Sequence, residues 1–341
     1  MKEYVVGVVG ASGAVGEEIF NVLEEHKFPV SRIVPLASER SVGKEIEFNA
    51  QTYKILETTD EVFAKEGIHI AFFSAGGAVS ERFAPSAAKA GAVVIDNTSY
   101  FRMDKDVPLV VPDVNPQDIA FWDKKGIIAN PNCSTIQMVQ VLAPLHKAFK
   151  IKRVDVSTYQ AASGAGKRGM EELVLQMQAF FAFKLDEAQP QIFPHRLALN
   201  VIPHIDVFMS NDYTKEEMKM INETHKIMHA DFPLSATCVR VPVLRSHSES
   251  ISITFESEVS AKQVREILLE SPYIVLCDNP QEKLYPMPIL ATETDQTYVG
   301  RVREDNFDKH IVHLWCVADQ IRVGAATNAV RIAQKWIEMQ N

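Results

Sequence analysis

One stretch of the chain reads Asn130-Pro131-Asn132-Cys133-Ser134-Thr135, and it follows an apolar run at residues 126–129. An amphipathic segment at residues 136–149 comes directly after it, so the pattern predicts a strand, a tight turn and a helix. Cys133 then lies at the first helical turn, where unpaired backbone N–H groups and the helix dipole favour a thiolate. A thiolate attacks aldehydes and acyl groups. The alternative, a small buried cysteine without a chemical role, stays open at this point.

The composition restricts the class of protein. A chain of 341 residues is long enough for two domains of ordinary size. Its hydrophobic content of 46% and net charge of −9 are typical of a soluble acidic protein and unfavourable for a nucleic-acid-binding surface. We find no secretory leader pattern and no apolar stretch of about 20 residues, so we expect a cytoplasmic protein without a membrane segment. The four cysteines form no CxxC pair, so we expect neither a disulfide framework nor a metal site.

A glycine-rich turn follows the first apolar strand of the chain. Residues 4–9 are a buried strand by composition, and they lead into Gly10-Ala11-Ser12-Gly13-Ala14-Val15-Gly16 and then a helical pattern. Glycines three residues apart let the backbone turn sharply and approach a pyrophosphate, which the helix N–H groups then bind. We therefore predict a dinucleotide site; the alternative is a tight turn without a ligand. Strands and helices alternate as far as residue 129, which predicts an α/β domain with a doubly wound, Rossmann-like parallel sheet.

The end of the second strand predicts which dinucleotide is bound. Residues 32–37 are followed by Ser38-Glu39-Arg40-Ser41, at the point where such folds contact the adenosine ribose. Arg40 and Ser41 favour the 2′-phosphate of NADP, whereas Glu39 could instead bind the free 2′-hydroxyl of NAD. We predict NADP, with an Arg40 that is merely solvated as the alternative.

The second half of the chain has a different pattern. A strand at residues 152–159 leads into Gln160-Ala161-Ala162-Ser163-Gly164-Ala165-Gly166, a small-residue turn that permits a ligand to approach the backbone closely. Residues 185–211 have little periodicity and predict a long irregular connection. The remaining strands and helices predict an α+β domain with a mixed sheet. His225 and His229 have a spacing that can bind a metal, but no carboxylate motif accompanies them, so we interpret them as a surface pair.

Five motifs, in this order, resemble those of the aspartate-semialdehyde dehydrogenase family. They are the turn at residues 10–16, Pro131-Asn132-Cys133-Ser134-Thr135, the turn at residues 160–166, Arg240-Val241-Pro242-Val243 with His247-Ser248-Glu249, and Asp319-Gln320-Ile321-Arg322-Val323-Gly324-Ala325-Ala326. The resemblance covers essentially the whole chain. It implies an NADP-binding domain at residues 1–132, completed by residues 319–341, and a catalytic and dimerisation domain at residues 133–318. It also implies a homodimer.

The resemblance implies a reaction as well. The family reduces L-aspartyl 4-phosphate, with NADPH, to L-aspartate 4-semialdehyde and phosphate, reversibly and through a cysteine thioester. This reaction serves the biosynthesis of lysine (through diaminopimelate), threonine and methionine.

Individual residues acquire roles through their match to the family motifs. Cys133 matches the nucleophile and His247 the acid/base. The matching substrate-binding residues are Gln160, Glu223 and Arg240, and the matching phosphate-binding residues are Arg102 and Lys226. The matching cofactor contacts are Ser12, Gly13, Ala14, Val15, Arg40, Ser41, Ser163, Gly164 and Gln320. Many members differ at Val323, and we attach no function to that position.

These residue types also fit the chemistry by themselves. A thiolate can form a thioester and expel phosphate, and a histidine can move the proton that release of the aldehyde requires. An arginine binds the α-carboxylate bidentately, a glutamate pairs with the α-ammonium group, and two cations bind the phosphate. Each residue alone has an ordinary structural alternative; for Glu223 and Lys226 it is a surface ion pair on a helix.

Two rival functions remain open. The first is another acyl-phosphate or aldehyde reductase of the same architecture, acting on N-acetylglutamyl phosphate or glyceraldehyde 3-phosphate, although neither accounts as well for the segment from Arg240 to His247. The second is a non-catalytic NADP-binding sensor. It predicts tight NADPH binding, no turnover and ordinary thiol reactivity at Cys133.

Overall fold

The computed structural model describes residues 2–340. The chain divides into two compact units. Unit 1 comprises the described residues up to Asn132 together with those from Ala325 onward, and unit 2 is Cys133–Gly324.

Residues 319–324 belong to unit 2, whereas the sequence analysis placed them with the first domain. The reason is that their side chains bond residues of unit 2. Asp319 forms an ion pair with Arg245, and the Gln320 side chain accepts a hydrogen bond from the Ser246 N–H group.

Unit 1 contains a six-stranded parallel sheet, as predicted for a doubly wound domain. Its elements up to residue 129 are β1 (Tyr4–Val9), α1 (Ala14–Glu25), β2 (Val30–Ala37), β3 (Glu45–Phe48), β4 (Gln51–Lys54), β5 (Leu56–Glu57), α2 (Val62–Lys65), β6 (Ile70–Phe73), α3 (Gly77–Lys89), β7 (Val93–Asp96) and β8 (Ile127–Ala129). The strand order is β5-β2-β1-β6-β7-β8. The chain leaves β1 toward β2 and later returns to β6 on the other side of β1. The carboxyl ends of β1 and β6 therefore lie at the switch point where such sheets bind ligands.

The hairpin of β3 and β4 was not predicted. These strands form a separate antiparallel pair joined by Asn49 and Ala50. Both turn residues have a left-handed backbone, with φ of 48° and 57°, as a two-residue hairpin turn requires. The strands are short and mostly exposed, so they lack the apolar run on which our strand predictions rested.

Unit 2 contains a six-stranded mixed sheet, as predicted. Its elements are α4 (Cys133–Phe149), β9 (Ile151–Gln160), α5 (Gly166–Phe181), α6 (Lys215–Met228), β10 (Leu234–Arg240), β11 (His247–Phe255), α7 (Ala261–Leu269), β12 (Ile274–Leu276), α8 (Pro288–Ala291), β13 (Thr297–Glu304) and β14 (Ile311–Ala318). The strand order is β10-β9-β11-β14-β13-β12, with β10 parallel to β9 and β11 antiparallel to both β9 and β14. One face of the sheet is buried beneath α4, α6 and α7 in a single apolar core.

Two buried polar side chains of α5 hold the irregular segment that follows it. Glu172 accepts hydrogen bonds from the N–H groups of residues 191–192, and Gln176 accepts them from residues 197–198. These bonds replace the ladder that a helix or strand would supply, because buried backbone donors need partners. The segment is therefore ordered without the periodicity that sequence analysis can detect.

The last helix, α9 (Thr327–Gln340), follows a π-helical turn at Arg322–Ala326. It places Ala329, Val330 and Ile332 in the core of unit 1, where it packs against α1. None of the helices described between residues 2 and 340 is long and apolar enough to cross a membrane.

Candidate active site

Three strands of unit 2 bring Arg240, Gln160 and His247 into one row across the buried face of the sheet, which we call the first row. Arg240 ends β10 and pairs with Gln160 at the end of β9. His247 begins β11, directly before Ser248, which pairs with Tyr159, so His247 lies opposite Gln160. All three side chains of the first row are buried.

Cys133 is the first residue of α4, as the strand-turn-helix pattern predicts. It is the only half-buried cysteine, since Cys238, Cys277 and Cys316 are buried. A Cβ atom built on Gly324 would lie 2.6 Å from the Cys133 Cβ, so a glycine is needed beside the thiol. Burial lowers the pKa of Arg240, and the charges of Glu216 and then of a Cys133 thiolate act in the opposite direction.

His247 is held in one tautomer. The Ala161 N–H group donates to His247 Nδ1 at 3.0 Å, so the neutral ring carries its proton on Nε2. Complete burial, and then the charge of Arg240, hold the pKa of His247 well below its usual range. Within the described part of the chain, Nε2 has no hydrogen-bond partner. His247 is therefore a neutral donor at neutral pH, with its N–H available to another group.

The residue before His247 has a left-handed backbone. Ser246 has a φ of 76°, which costs a non-glycine residue about 1 kcal/mol or more. Two hydrogen bonds offset this cost: its N–H group donates to Gln320 Oε1, and its hydroxyl group lies 2.8 Å from that of Thr292. Ser246 thereby fixes the point at which β11 begins, and with it the position of the imidazole.

The guanidinium group of Arg240 is fixed on two sides. Its Nη1 donates to the Ala161 carbonyl at 2.6 Å, and its centre lies 5.8 Å from the centroid of the Phe193 ring. Burial lowers the pKa of Arg240, while the charge of Glu216 opposes this change. An arginine keeps its charge under these conditions, so the first row presents a fixed cation.

The first two turns of α6 add a carboxylate and an ammonium group. Gln160 Nε2 donates to Glu216 Oε1 at 3.4 Å, and Lys219 Nζ lies 3.1 Å from Glu216 Oε2. Lys219 also pairs with Asp206 at 2.7 Å. Burial acts to lower the pKa of Lys219, but the carboxylates of Glu216 and Asp206 together raise it, so the amine is charged.

The glycine-rich turn of unit 1 has the shape that a dinucleotide requires. Gly10 has a φ of 91°, and a Cβ atom on Gly16 would lie 2.1 Å from the Gly10 carbonyl oxygen. The turn is thus as tight as glycine allows, and α1 begins directly after Gly13. The Ser12 and Ser41 hydroxyl groups lie 3.3 Å apart, which links this turn to the end of β2. The donors and the open backbone fit a dinucleotide phosphate.

Two arginines of unit 1 were predicted to bind phosphate groups. Arg40 is exposed beside Ser41, in a short 3-10 turn after β2. Arg102 is buried, and its Nε and Nη2 atoms donate to the carbonyl oxygens of Asn130 and Asn97, both at 2.9 Å.

Comparison with known proteins identifies the family. Residues 5–122 match the family described as semialdehyde dehydrogenase, NAD binding domain, and residues 142–323 match semialdehyde dehydrogenase, dimerisation domain. The chain is 66% identical over 340 residues to the aspartate-semialdehyde dehydrogenase of Campylobacter jejuni, covering 100% of this chain and 99% of that protein. The chain belongs to the aspartate-semialdehyde dehydrogenase family.

Solved structures agree with this assignment. The aspartate semialdehyde dehydrogenase II of Vibrio cholerae, complexed with ASA, has a TM-score of 0.96 and 45% identity, with 99% of both chains covered. The Candida albicans enzyme, solved with NADP, has a TM-score of 0.75 and 26% identity, again with 99% of both chains covered. The chain pairs an NAD(P)-binding domain with a dimerisation domain.

Sequence analysis missed Glu216 and Lys219. It assigned a substrate-binding and a phosphate-binding role to Glu223 and Lys226, each seven residues farther along α6, or about 10 Å along its axis. Those roles stay predictions. In the structure, Gln160 donates to Glu216, and Glu216 pairs with Lys219. One signal was present in the sequence: Thr214 and Glu217 form a capping box, which marks the first turn of α6.

Three other predicted residues lie in a network within unit 2. The Gln320 amide donates to the Ser163 hydroxyl group, while its oxygen accepts from Ser246. Gly164 lies between the ends of Arg240 and His247. Cofactor contacts by Ser163, Gly164 and Gln320 stay predictions.

The histidine pair of α6 has a structural use. His225 Nε2 lies 2.9 Å from the Phe232 carbonyl oxygen, and His229 ends the helix with a left-handed backbone. Among residues 2–340, no group of three His, Cys, Asp or Glu side chains is arranged to hold a metal ion.

We expect Gly164→Ala to lower kcat/KM by roughly 100-fold with little loss of thermal stability. A Cβ atom there would lie 2.7 Å from Arg240 Nη1 and 3.2 Å from His247 Nε2, so both groups must move, and displacements of about 1 Å cost this much in rate. Steady-state kinetics and a thermal melt measure the two quantities. Ala165→Gly loosens the same turn without adding an atom and serves as the control. Equal effects of the two substitutions would contradict the steric explanation.

Proposed function

We propose that the chain is an NADP-dependent aspartate-semialdehyde dehydrogenase that catalyses the reversible reductive dephosphorylation of L-aspartyl 4-phosphate. One observation carries the proposal beyond family membership. Cys133 begins a helix, and the charge of its thiolate acts on the fixed guanidinium group of Arg240, whose row also contains a neutral histidine with an available N–H. That set suits nucleophilic attack on the acyl phosphate of an amino acid.

Cys133 performs the first step. Its thiolate attacks the acyl carbon, the new C–S bond forms, and the C–O bond to phosphate breaks with phosphate as the leaving group. The helix N-terminus stabilises the thiolate before the attack. The product is a thioester on Cys133.

His247 acts in the second half of the reaction. NADPH, when bound, supplies the hydride that reduces the thioester. The Nε2–H group of His247 donates to the oxygen on which negative charge develops, and such a fixed donor stabilises a tetrahedral intermediate by about 3 kcal/mol or more. When this intermediate collapses, the C–S bond breaks, the semialdehyde leaves and Cys133 regains its thiolate.

The charges around Gln160 recognise the substrate. We assign the α-carboxylate to Arg240, because its guanidinium group is held in one orientation by the Ala161 carbonyl. Glu216 pairs with the α-ammonium group, and Lys219 together with Arg102 binds the phosphate. We assign these roles to Glu216 and Lys219 because Gln160 donates to Glu216, and Glu216 pairs with Lys219.

A paired substitution tests this choice. We expect Glu216→Gln to raise the KM for L-aspartate 4-semialdehyde by roughly 10- to 100-fold, because a charged hydrogen bond contributes about 1.5–3 kcal/mol. Glu223→Gln, on the same helix, is the matched control and is expected to change KM less than about threefold. Steady-state kinetics on both variants decide the matter. A large effect of Glu223→Gln alone would restore the assignment made from the sequence.

The cofactor proposal rests on unit 1. The tight turn with Ser12 and Gly13 and the first residues of α1, Ala14 and Val15, bind the pyrophosphate. Arg40 and Ser41 bind the 2′-phosphate of NADP, which the exposed position of Arg40 permits. The Candida albicans relative was solved with NADP, which supports the choice.

The test of the whole proposal is NADP⁺ reduction by L-aspartate 4-semialdehyde, with and without phosphate, followed by the absorbance of the reduced nicotinamide. Phosphate-dependent turnover, faster with NADP⁺ than with NAD⁺, is the expected result. Turnover only with N-acetylglutamate semialdehyde or glyceraldehyde 3-phosphate would establish the first rival function. NADPH binding without turnover of any of these aldehydes would establish a sensor.

The proposed assembly is a homodimer. The proposed location is the cytoplasm, because the reaction belongs to amino-acid biosynthesis. The chain has the family's dimerisation domain. The outer face of its sheet carries Tyr159 and Trp315, whose ring centroids are 5.2 Å apart. Tyr159 is exposed, and a second copy of the chain would cover this face. Sedimentation analysis at micromolar concentration measures the dimer.

A further inference from the structure

A second polar row lies directly behind the first row on the same buried face of the sheet. It contains, on four neighbouring strands, Cys238, Thr158, Glu249 and Cys316. The rows farther from the site are apolar. Glu249 is the one carboxyl group of the second row, and no mechanistic step above uses it.

Glu249 has no charged partner in this row. Its exposed fraction is 0%, and among the described residues neither carboxyl oxygen has a hydrogen-bond partner of good geometry. The titratable groups that face it are the thiols of Cys238 on β10 and Cys316 on β14. Burial raises the pKa of Glu249 well above its usual value, and the nearby Gln137 amide opposes this only in part. An ionised carboxylate in such a place would be very costly.

Gln137 of α4 provides the complementary group. Gln137 lies one helical turn after Cys133. Its Nε2 donates weakly to the His247 carbonyl oxygen at 3.5 Å. Its Oε1 has no donor among the described residues. The backbone carbonyl of Gln137 also accepts from Cys316 of the second row at 3.9 Å. Cys316 pairs with Glu249 across the sheet, so this contact places Gln137 beside the second row, where a buried acceptor without a donor and a buried carboxyl group without a partner occur together. One proton on the carboxyl group satisfies both.

We propose that Glu249 is a neutral carboxylic acid that donates a hydrogen bond to Gln137 Oε1 and so positions the catalytic helix. Gln137 thereby joins the first turn of α4, which carries Cys133, to the strand that carries His247. Glu249 is a positioning residue, since it acts through Gln137 and does not touch the substrate. The kinetic part of the test rests on the function proposed above, whereas the spectroscopic and stability parts do not.

Infrared spectroscopy tests the proton directly and needs no substrate. The difference spectrum between the wild type and Glu249→Gln at neutral pH is expected to contain the C=O stretch of a protonated carboxylic acid. Carboxylate bands in its place would overturn the proposal, whether or not the chain is active.

The pH dependence of stability is a second measurement independent of turnover. Folding raises the pKa of Glu249 above 4.5, its value in the unfolded chain. The protonated carboxyl group therefore contributes fully to the free energy of unfolding below pH 4.5, and this contribution is lost as the pH rises toward the pKa in the folded protein. Glu249→Gln removes this loss. We therefore expect the Tm of the variant, relative to wild type, to increase between about pH 5 and about pH 8. A difference that does not change with pH would overturn the proposal.

Kinetics separate positioning from mere packing. Glu249→Gln keeps a neutral donor and is expected to retain kcat within about threefold, with an unchanged pH profile. Glu249→Leu and Gln137→Leu each remove the hydrogen bond and are expected to lower kcat by roughly 10- to 100-fold, with KM changed by less than about threefold. The double variant is expected to be no slower than either single one, because both remove the same interaction.

Each kinetic outcome decides the matter. Wild-type kcat in the leucine variants, or additive losses in the double variant, would overturn the positioning role. If Glu249→Leu does not fold, Gln137→Leu supplies the same comparison. The alkylation rate of Cys133 in folded variants can be measured without any substrate, so it tests the positioning role even if the wild type turns over another substrate. A rate altered by both leucine substitutions but not by Glu249→Gln is expected.

Discussion

Cys133→Ala is expected to lower kcat by roughly 10⁴-fold or more, because no other residue can form the thioester. Cys133 is the first residue of α4 and the only half-buried cysteine, and the other three thiols are buried. Binding of NADPH is expected to persist, since the glycine-rich turn of unit 1 is unaffected. Assay of turnover and titration of nicotinamide fluorescence measure the two quantities on the same preparation.

Cys277→Ala is the matched control for this result. Cys277 lies in unit 2, is buried, and its burial raises the pKa of the thiol, so it has no thiolate to offer. We expect its activity to stay within about threefold of wild type, because a buried cysteine outside the first row is an ordinary packing residue. Residual turnover of Cys133→Ala near the wild-type rate would contradict the thioester mechanism and leave the sensor or a different nucleophile.

Arg240→Lys is expected to raise the KM for the semialdehyde by roughly 100-fold while kcat changes less. The guanidinium group already donates one bond to the Ala161 carbonyl, and its planar fork can still hold a carboxylate. A lysine ammonium is a point charge and cannot satisfy both groups with the same geometry. The loss corresponds to the roughly 2–5 kcal/mol that follows from breaking a buried, hydrogen-bonded charge pair.

Arg303→Lys, on an exposed stretch of β13, is the control for the loss of a guanidinium group elsewhere. It is expected to leave KM unchanged. If Arg240→Lys also leaves KM unchanged, the α-carboxylate is bound by another residue. Saturation curves for the semialdehyde at fixed NADP⁺ and phosphate distinguish the two results.

Local patterns were sufficient for many elements. The apolar run at residues 4–9, the glycine-rich turn and the helix after it follow from composition and spacing, because backbone geometry there depends on neighbouring residues. The turn from β8 to α4 at Cys133 follows in the same way. The hairpin of β3 and β4 was missed since its strands are exposed and carry no apolar period. The segment after α5 is ordered by Glu172 and Gln176, which lie far from it in sequence.

The sequence pattern of α6 does not distinguish Glu216 from Glu223. Residues seven apart in a helix return to almost the same face, drifting by only about 20°. Periodicity therefore treats Glu216 and Glu223 alike, and the same holds for Lys219 and Lys226. The contact with Gln160 that separates them is set by how α6 packs on the sheet.

The sequence by itself determined the family, the glycine-rich dinucleotide turn, the helix that begins at Cys133 and the charged residues available for a substrate. Those features depend on residues that are close together in the chain. Only the tertiary structure decided that Gln160, Arg240 and His247 form one row, that His247 is a neutral donor and that Glu249 is enclosed beside Gln137. The physical reason is that strand register and burial arise from contacts between distant segments, and these contacts set both the distance between side chains and the charge that each can carry.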